Sequence, residues 1–143
     1  MIEGSCLCGG VTFEFDHFTG PFELCHCNRC RKVSGSAFMA GVAAPRSAFR
    51  LLTGPELIKT YDAPILKTPP AYRSCFCIRC GSPVPDPSSD GPFIEIAAGT
   101  LDDDPGVKPD KHIFVEKKAA WHAIADALPQ LDEVALHKYR ARR

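Results

Sequence analysis

The sequence predicts a mainly β protein built from short strands. Apolar and polar residues alternate along residues 11–16, directly after Gly9 and Gly10, as expected for a half-buried strand that follows a turn. The 13 prolines and 11 glycines separate short apolar runs of this kind, and such regular turn signals are typical of all-β proteins. At 143 residues the chain is long enough to form one domain with its own core.

The remaining elements follow from the same periodicity. Turns are expected at Pro69–Pro70 and within residues 83–92. After the last predicted strand, Ala120, Ile124 and Leu128 recur at helical spacing and Pro129 can end a helix, which predicts a short C-terminal helix within residues 116–128. Seven further strands are predicted at residues 22–27, 38–42, 49–52, 57–61, 72–77, 93–98 and 113–116.

We expect a single domain over residues 1–136, because no stretch has the composition of a linker. Residues 137–143 have little apolar content and are predicted to form a basic tail that frays. The basic residues of this tail are Lys138, Arg140, Arg142 and Arg143.

Charge and composition exclude several classes of partner. The 17 Lys and Arg residues balance the 17 Asp and Glu residues, so no overall field attracts nucleic acid or an anionic membrane. The N-terminus has neither the basic nor the apolar region of a signal peptide, and no apolar run approaches the ~20 residues of a membrane span. The sequence therefore predicts a cytoplasmic protein with a small-molecule partner. It is compatible with both a monomer and a homo-oligomer.

Eight cysteines form three tight clusters, with the sequences CLC at 6–8, CHCNRC at 25–30 and CFCIRC at 75–80. CxC and CxxC spacings each supply two sulfurs that can bind one ion, and a tetrahedral zinc site combines two such pairs. In a reducing cytosol this clustering indicates ligands rather than disulfides. The sequence therefore predicts bound zinc.

The strongest pair is Cys77 and Cys80. Gly81 follows it directly, and a zinc knuckle needs a tight turn in which glycine tolerates a positive φ. Cys6 and Cys8 are the natural partner pair, because no third cysteine lies near them in the sequence. These four residues predict a closed structural zinc site.

Cys25, Cys27 and Cys30 then remain as a separate triple. Three protein ligands would leave a coordination position free for water or substrate, which is the arrangement of catalytic zinc sites. The alternative is a second closed site in which Cys75 joins the triple. In the first interpretation Cys75 is spare.

Several longer motifs occur in order along nearly the whole chain. They are GSCLCGGV at 4–11, CHCNRCRK at 25–32 followed by Ser34–Gly35, FCIRCGSP at 76–83, GTLD at 99–102, Trp121, and Leu128–Pro129. In this order they resemble the glutathione-dependent formaldehyde-activating enzyme family, which also includes the centromere protein V type.

The resemblance implies a β-tent of small antiparallel sheets and two zinc ions. One is a structural zinc on Cys6, Cys8, Cys77 and Cys80, and the other is held by Cys25, Cys27 and Cys30 with its fourth position free. It also implies a carbon–sulfur lyase type of activity that joins glutathione and formaldehyde to S-hydroxymethylglutathione. The namesake enzymes are longer before the first motif, so we expect part of a glutathione pocket to be absent here.

Residues beside the triple are candidates for substrate contacts. Arg31 and Lys32 could bind the carboxylates of a peptide thiol together with backbone amides at Ser34 and Gly35, and Arg29 has the same character. The alternative for each of these side chains is solvated surface.

The other polar and aromatic candidates have weaker support. His26 would face away from the metal on a strand, which favours a supporting or surface role over ligation. His112 and His122 are candidate proton carriers by residue type alone, and packing or exposure is the better interpretation of both. Trp121 is expected in the core or in a pocket wall, and the core is the better interpretation.

Three functions fit these features. The first is a zinc enzyme that acts on a small thiol and an aldehyde, in which the open zinc chiefly activates sulfur. The second is a zinc-stapled binding module in which both metals are structural. The third is metal or redox sensing by an exposed cysteine triple.

Overall fold

The computed structural model describes residues 1–67 and 71–142. The predicted turn at Pro69–Pro70 and the last residue of the predicted tail, Arg143, lie outside the described residues. Within them the chain forms ten strands and two α-helices. The strands are β1 Ile2–Ser5, β2 Thr12–Phe15, β3 Phe22–Cys25, β4 Met39–Pro45, β5 Phe49–Thr53, β6 Ile58–Asp62, β7 Arg73–Cys77, β8 Phe93–Ala97, β9 Lys111–Ile113 and β10 Gln130–Leu131, and the helices are α1 Asn28–Ser34 and α2 Glu133–Ala141.

These strands form three small sheets. One has the order β1-β2-β5, one has the order β10-β9-β3-β4-β8, and β6 pairs with β7. Most pairs are antiparallel, but β9 runs parallel to both β3 and β10. The prediction of a mainly β fold with small sheets and a short C-terminal helix is confirmed.

Buried side chains from all three sheets meet in one apolar cluster. Phe13 and Phe15 of β2, Val42 of β4 and Cys77 of β7 belong to it. The Phe15 ring lies 4.6 Å from the Phe18 ring, between centroids, so the aromatic side chains pack directly on one another. The alternation along residues 11–16 predicted these inward positions correctly.

The last predicted strand, at residues 113–116, is displaced towards the N-terminus. The strand found here is β9, and Phe114 has a positive φ of 55°. A strand cannot continue through that left-handed conformation. A 3-10 turn at Val115–Lys117 follows instead.

Helix α1 was not predicted; its first turn overlaps the cysteine triple. It begins where the sulfur of Cys27 accepts a hydrogen bond from the Cys30 N–H at 3.4 Å. It ends at Gly35, whose φ of 61° places it in the left-handed region that favours glycine.

The helix predicted within residues 116–128 is wrong. Apart from the 3-10 turn at its start, that segment is irregular. Its polar groups bond locally, since Asp126 accepts from the Leu128 N–H at 3.0 Å and Lys118 Nζ donates to the His122 carbonyl. Such side-chain bonds to the backbone compete with helix formation.

The C-terminal helix lies later, and the predicted fraying of the tail is wrong through Ala141. Asp132 caps helix α2 by accepting from the Ala135 N–H at 2.8 Å. Leu136 is fully buried, which fixes the helix against the rest of the molecule. Neither helix in the described part of the chain is long and apolar enough to cross a membrane.

Candidate metal centres and the adjoining cavity

Four cysteines from distant parts of the chain meet at one point. The sulfurs of Cys6, Cys8, Cys77 and Cys80 all lie within 4.8 Å of one another. Cys8 Sγ is 3.6 Å from Cys6 Sγ and 3.8 Å from Cys77 Sγ. Tetrahedral zinc with bonds of about 2.3 Å would hold its sulfurs about 3.8 Å apart. The four residues therefore fit a closed zinc site.

Both loops that carry this quartet turn tightly at a glycine. Gly9 and Gly81 have φ values of 77° and 76°, as predicted for Gly81. Ser82 links the two loops, because its Oγ accepts from the Leu7 N–H at 2.9 Å and lies 3.4 Å from Cys80 Sγ. The hydrogen bond with Ser82 lowers the pKa of Cys80 to about 5, which favours the thiolate that binds metal.

Cys25, Cys27 and Cys30 form a second group, with their sulfurs also within 4.8 Å of one another. Cys25 ends strand β3, Cys27 caps helix α1, and Cys30 lies in the first turn of that helix. Among the described residues, no further His, Cys, Asp or Glu atom joins this group. The strand-to-helix junction thus presents three sulfurs.

The three thiols strongly affect one another's ionisation. Hydrogen bonding with Cys25 lowers the pKa of Cys27, whereas the same contacts raise the pKa of Cys25 and of Cys30. One of the three thiols therefore ionises readily, and the negative charge of that thiolate disfavours ionisation of the other two. A divalent cation would remove this opposition, so the donor set is suited to a metal such as zinc.

Cys75 belongs to neither group. It is buried, and its Sγ lies 3.2 Å from Thr60 Oγ1. Burial raises the pKa of this thiol. The alternative in which Cys75 completes a second closed site does not match this placement.

The triple faces a cavity of about 590 Å³. Ile65, Tyr72 and Phe114 contribute apolar and aromatic surface. The quartet does not line this cavity. Charged groups also line it, and they are Glu23, Arg29, Lys67, Glu95, Lys117, Glu133, His137 and Arg140.

Several of these charges are already paired. Lys67 Nζ is 2.5 Å from Glu133 Oε1, and Arg140 is 3.4 Å from Glu23. Glu23 is also 3.1 Å from the buried Lys111. Arg29 instead lies over the Tyr72 ring, 5.5 Å from its centroid, and faces the cavity.

The predicted substrate residues lie elsewhere. Arg31, Lys32 and Gly35 line a separate depression together with Trp121. Ser34 Oγ donates to the Cys30 carbonyl at 2.7 Å. Residues two apart on a helix do not share a face, so Arg29 reaches the cavity and Arg31 does not.

Trp121 was expected in the core, but 73% of it is exposed. The segment that carries it is irregular rather than helical, so its side chain is not directed inward by a helical face. The preferred expectation of a core Trp121 is wrong, and the alternative of a pocket wall matches its place in the depression.

A buried hydrogen-bonded chain of side chains lies behind the triple. His26 is fully buried, and its Nε2 lies 2.8 Å from His112 Nδ1. His112 Nε2 donates to the Asp126 carboxylate at 2.9 Å. Burial lowers the pKa of His26 to about 4, which keeps it neutral. The supporting role predicted for His26 fits this geometry, but the partners Asp126 and His112 could not be found from local spacing.

Fold and site together define a small mainly β protein with two cysteine clusters that could bind metal ions. The family model described as glutathione-dependent formaldehyde-activating enzyme matches residues 1–117. The chain belongs to this family, which confirms the resemblance seen in the sequence.

One relative carries the name of the same family, and one solved structure is similar in fold. A protein of Halomonas elongata named "Putative glutathione-dependent formaldehyde-activating enzyme" is 33% identical over 129 residues, which cover 87% of this chain and 81% of that protein. The crystal structure of a Rhodobacter sphaeroides protein is similar with a TM-score of 0.51 at 24% identity, covering 75% of this chain and 91% of that one. The latter similarity shows the fold alone.

Proposed function

We propose that this protein is a zinc-dependent, cytoplasmic enzyme of the carbon–sulfur lyase type. It joins a small thiol, with glutathione as the first candidate, to formaldehyde and forms S-hydroxymethylglutathione. Family membership supports the glutathione-dependent, formaldehyde-activating part of this proposal. The observation that carries the rest is the cavity of about 590 Å³ that is lined by the cysteine triple and not by the quartet.

The two clusters have different roles in this proposal. Cys6, Cys8, Cys77 and Cys80 hold a structural zinc, because four ligands leave no position for substrate. Cys25, Cys27 and Cys30 hold the second zinc. An ion bound by three cysteines supplies a position at which an incoming thiol can be held as a thiolate near neutral pH.

The cavity walls bind and orient the thiol substrate. Glutathione carries two carboxylates, and Arg29 and Lys117 line the cavity with side chains that form no hydrogen bond or ion pair within residues 1–67 and 71–142. They are therefore suited to bind those carboxylates. Tyr72 and Phe114 exclude water from the reacting end of the cavity.

The predicted contacts at Arg31, Lys32, Ser34 and Gly35 belong to the outer end of the substrate path. Asn28 lines both the cavity and the depression that contains Arg31, Lys32 and Gly35. A peptide thiol that extends beyond the cavity would meet these residues next.

The function is tested with the zinc-loaded protein. Two-dimensional exchange NMR with ¹³C-formaldehyde and glutathione measures how fast the free and thiol-bound forms interconvert. The wild type should accelerate the exchange, and Cys30→Ser should abolish the acceleration while the thermal melt stays close to that of the wild type, because the quartet and the core remain.

Cys75→Ser is the matched control, since it also removes one thiol but lies outside both clusters. It should keep both the metal content and the exchange rate. A wild type that contains two zinc ions and neither accelerates exchange nor binds any small thiol at millimolar concentration would contradict the proposal. That result would favour a zinc-stapled binding module.

A further inference from the structure

One face of the five-stranded sheet forms the floor of the cavity. Cys25 of β3, Gly41 of β4 and Glu95 of β8 all line it. Glu95 is paired with Ala43 in the sheet, but its side chain leans along β4 towards Gly41. A Cβ atom on Gly41 would lie 2.7 Å from Glu95 Oε1. The carboxylate of Glu95 therefore occupies the space that a side chain at position 41 would fill.

This position places Glu95 beside the cysteine triple without contact to it. Gly41 pairs with Glu23, and Cys25 follows Glu23 by two residues on the same face. Cys25 is thus a diagonal neighbour of Gly41, at about 7–8 Å. Cys25 and Glu95 line the same cavity of about 590 Å³, which has room for a small thiol and a small aldehyde.

Glu95 also differs from the other acids of the cavity. Glu23 is 3.1 Å from Lys111 and Glu133 is 2.5 Å from Lys67. In residues 1–67 and 71–142, the Glu95 carboxylate makes neither a hydrogen bond nor an ion pair. Its side chain is exposed at the cavity floor, and partial desolvation by the neighbouring protein together with the nearby Glu23 charge raises its pKa.

Building on the proposed function, we propose that Glu95 is a catalytic residue that carries the proton in the thiol–aldehyde addition. The S–H bond of the substrate thiol breaks, and its proton passes to the Glu95 carboxylate. The sulfur lone pair forms the C–S bond, and the π electrons of the carbonyl move to oxygen. Glu95 then returns the same proton to that oxygen, so nothing is oxidised or reduced and the carboxylate is restored.

The surroundings of Glu95 suit this proton transfer. A carboxyl whose pKa lies above the ordinary value for glutamate is a stronger base than an ordinary glutamate, and it can return the proton that it has taken up. Glu23 raises the pKa and Arg140 opposes that effect in part. The other titratable or charged groups that line the same cavity are Cys25, Cys27, Cys30, Arg29, Lys67, Tyr72, Lys117, Glu133 and His137.

The test compares Glu95→Gln with Glu95→Asp and with Glu56→Gln, which removes an exposed carboxylate outside the cavity. We measure kcat and KM for glutathione and formaldehyde from pH 5 to 8, and zinc content. Glu95→Gln should keep two zincs and the wild-type KM for the thiol, while kcat falls roughly 100-fold. Glu95→Asp should recover part of kcat, and Glu56→Gln should match the wild type.

Two further readouts separate proton transfer from a structural role. The acidic limb of the wild-type kcat profile should disappear in Glu95→Gln. The melting temperature of Glu95→Gln should exceed that of the wild type at pH 7, because a carboxyl with a raised folded-state pKa is ionised at a cost to the fold. This gain should shrink as the pH falls towards 4.5, the ordinary glutamate pKa.

A Glu95→Gln variant with wild-type kcat would overturn this inference and leave the proposed function intact. A raised KM with unchanged kcat would also overturn it, because Glu95 would then only bind the substrate. A zinc-loaded wild type with no thiol–aldehyde activity would overturn the inference and the proposed function together.

Discussion

At the scale of single residues, the glycine at position 41 of β4 allows the Glu95 side chain of β8 to lie on the cavity floor. Gly41 has no side chain, and the Glu95 carboxylate lies in the space thus left open. Because the carboxylate is the end of a flexible side chain, it can move if position 41 is filled. Gly4 is a contrasting case, since a Cβ there would lie 2.2 Å from the ring of the fully buried Phe13.

Gly41→Ala should therefore change activity more than stability. The new Cβ would lie 2.7 Å from Glu95 Oε1, so the carboxylate must shift, and kcat should fall roughly 10- to 100-fold. The free energy of unfolding should change by less than about 1 kcal/mol, since alanine is the better strand residue. Kinetics and urea unfolding measure the two effects.

The same substitution in a Glu95→Gln background is the control. If Gly41 acts through Glu95, the double variant should have the kcat of Glu95→Gln alone. If Gly41→Ala lowers kcat in the Glu95→Gln background by the same factor as in the wild type, Gly41→Ala acts on the cavity independently of Glu95.

At the scale of elements, helix α2 closes one side of the cavity. Glu133, His137 and Arg140 of this helix line it, and Leu136 anchors the helix in a fully buried position. Lys111 Nζ lies 4.8 Å from the centroid of the Tyr139 ring, which adds a second attachment to the sheet. The helix thus contributes both stability and cavity wall.

Leu136→Ala should cost about 2–5 kcal/mol of unfolding free energy, because it leaves a cavity where a fully buried side chain was. Urea unfolding followed by circular dichroism measures this cost. Val134→Ala is the control on the same helix, since Val134 is 62% exposed and should lose less than about 1 kcal/mol. Equal costs for the two variants would contradict the proposed anchoring by Leu136.

At the scale of the whole molecule, the cysteine quartet joins separate sheets. Cys6 and Cys8 lie in the turn between β1 and β2, and Cys77 and Cys80 lie at the end of β7, which belongs to another sheet. An ion at this point would connect segments that are 69 residues apart, the separation of Cys8 and Cys77. The triple, by contrast, lies within one strand and the helix that follows it.

Cys77→Ser or Cys80→Ser should therefore lower the zinc content and destabilise the entire fold, because a structural zinc contributes folding free energy directly. Metal analysis and urea unfolding measure both effects. Cys30→Ser is the comparison, since it should lose the second zinc with little change in the unfolding midpoint. Soluble Cys77→Ser protein with an unchanged midpoint would refute the structural assignment.

The sequence by itself determined most of the strands, the cysteine clusters and the family. Alternation along residues 11–16 and the Cys–Gly turn at Gly81 are local signals, and the interactions that produce them lie within a few residues. The pairing of Cys6 and Cys8 with Cys77 and Cys80 was also accessible, because spacing left few other combinations. The order of the motifs carried the family assignment.

Only the tertiary structure decided what surrounds the triple. Helix α2 extends into the segment that was predicted to be a frayed tail. The burial of Leu136 in the folded molecule stabilises this helix although its local sequence pattern is weak. The contacts of His26 with His112 and of Glu95 with Gly41 join residues that are far apart in the sequence, and they depend on strand order and register. Strand order and register are not encoded in local periodicity, so the cavity could not be predicted from the sequence alone.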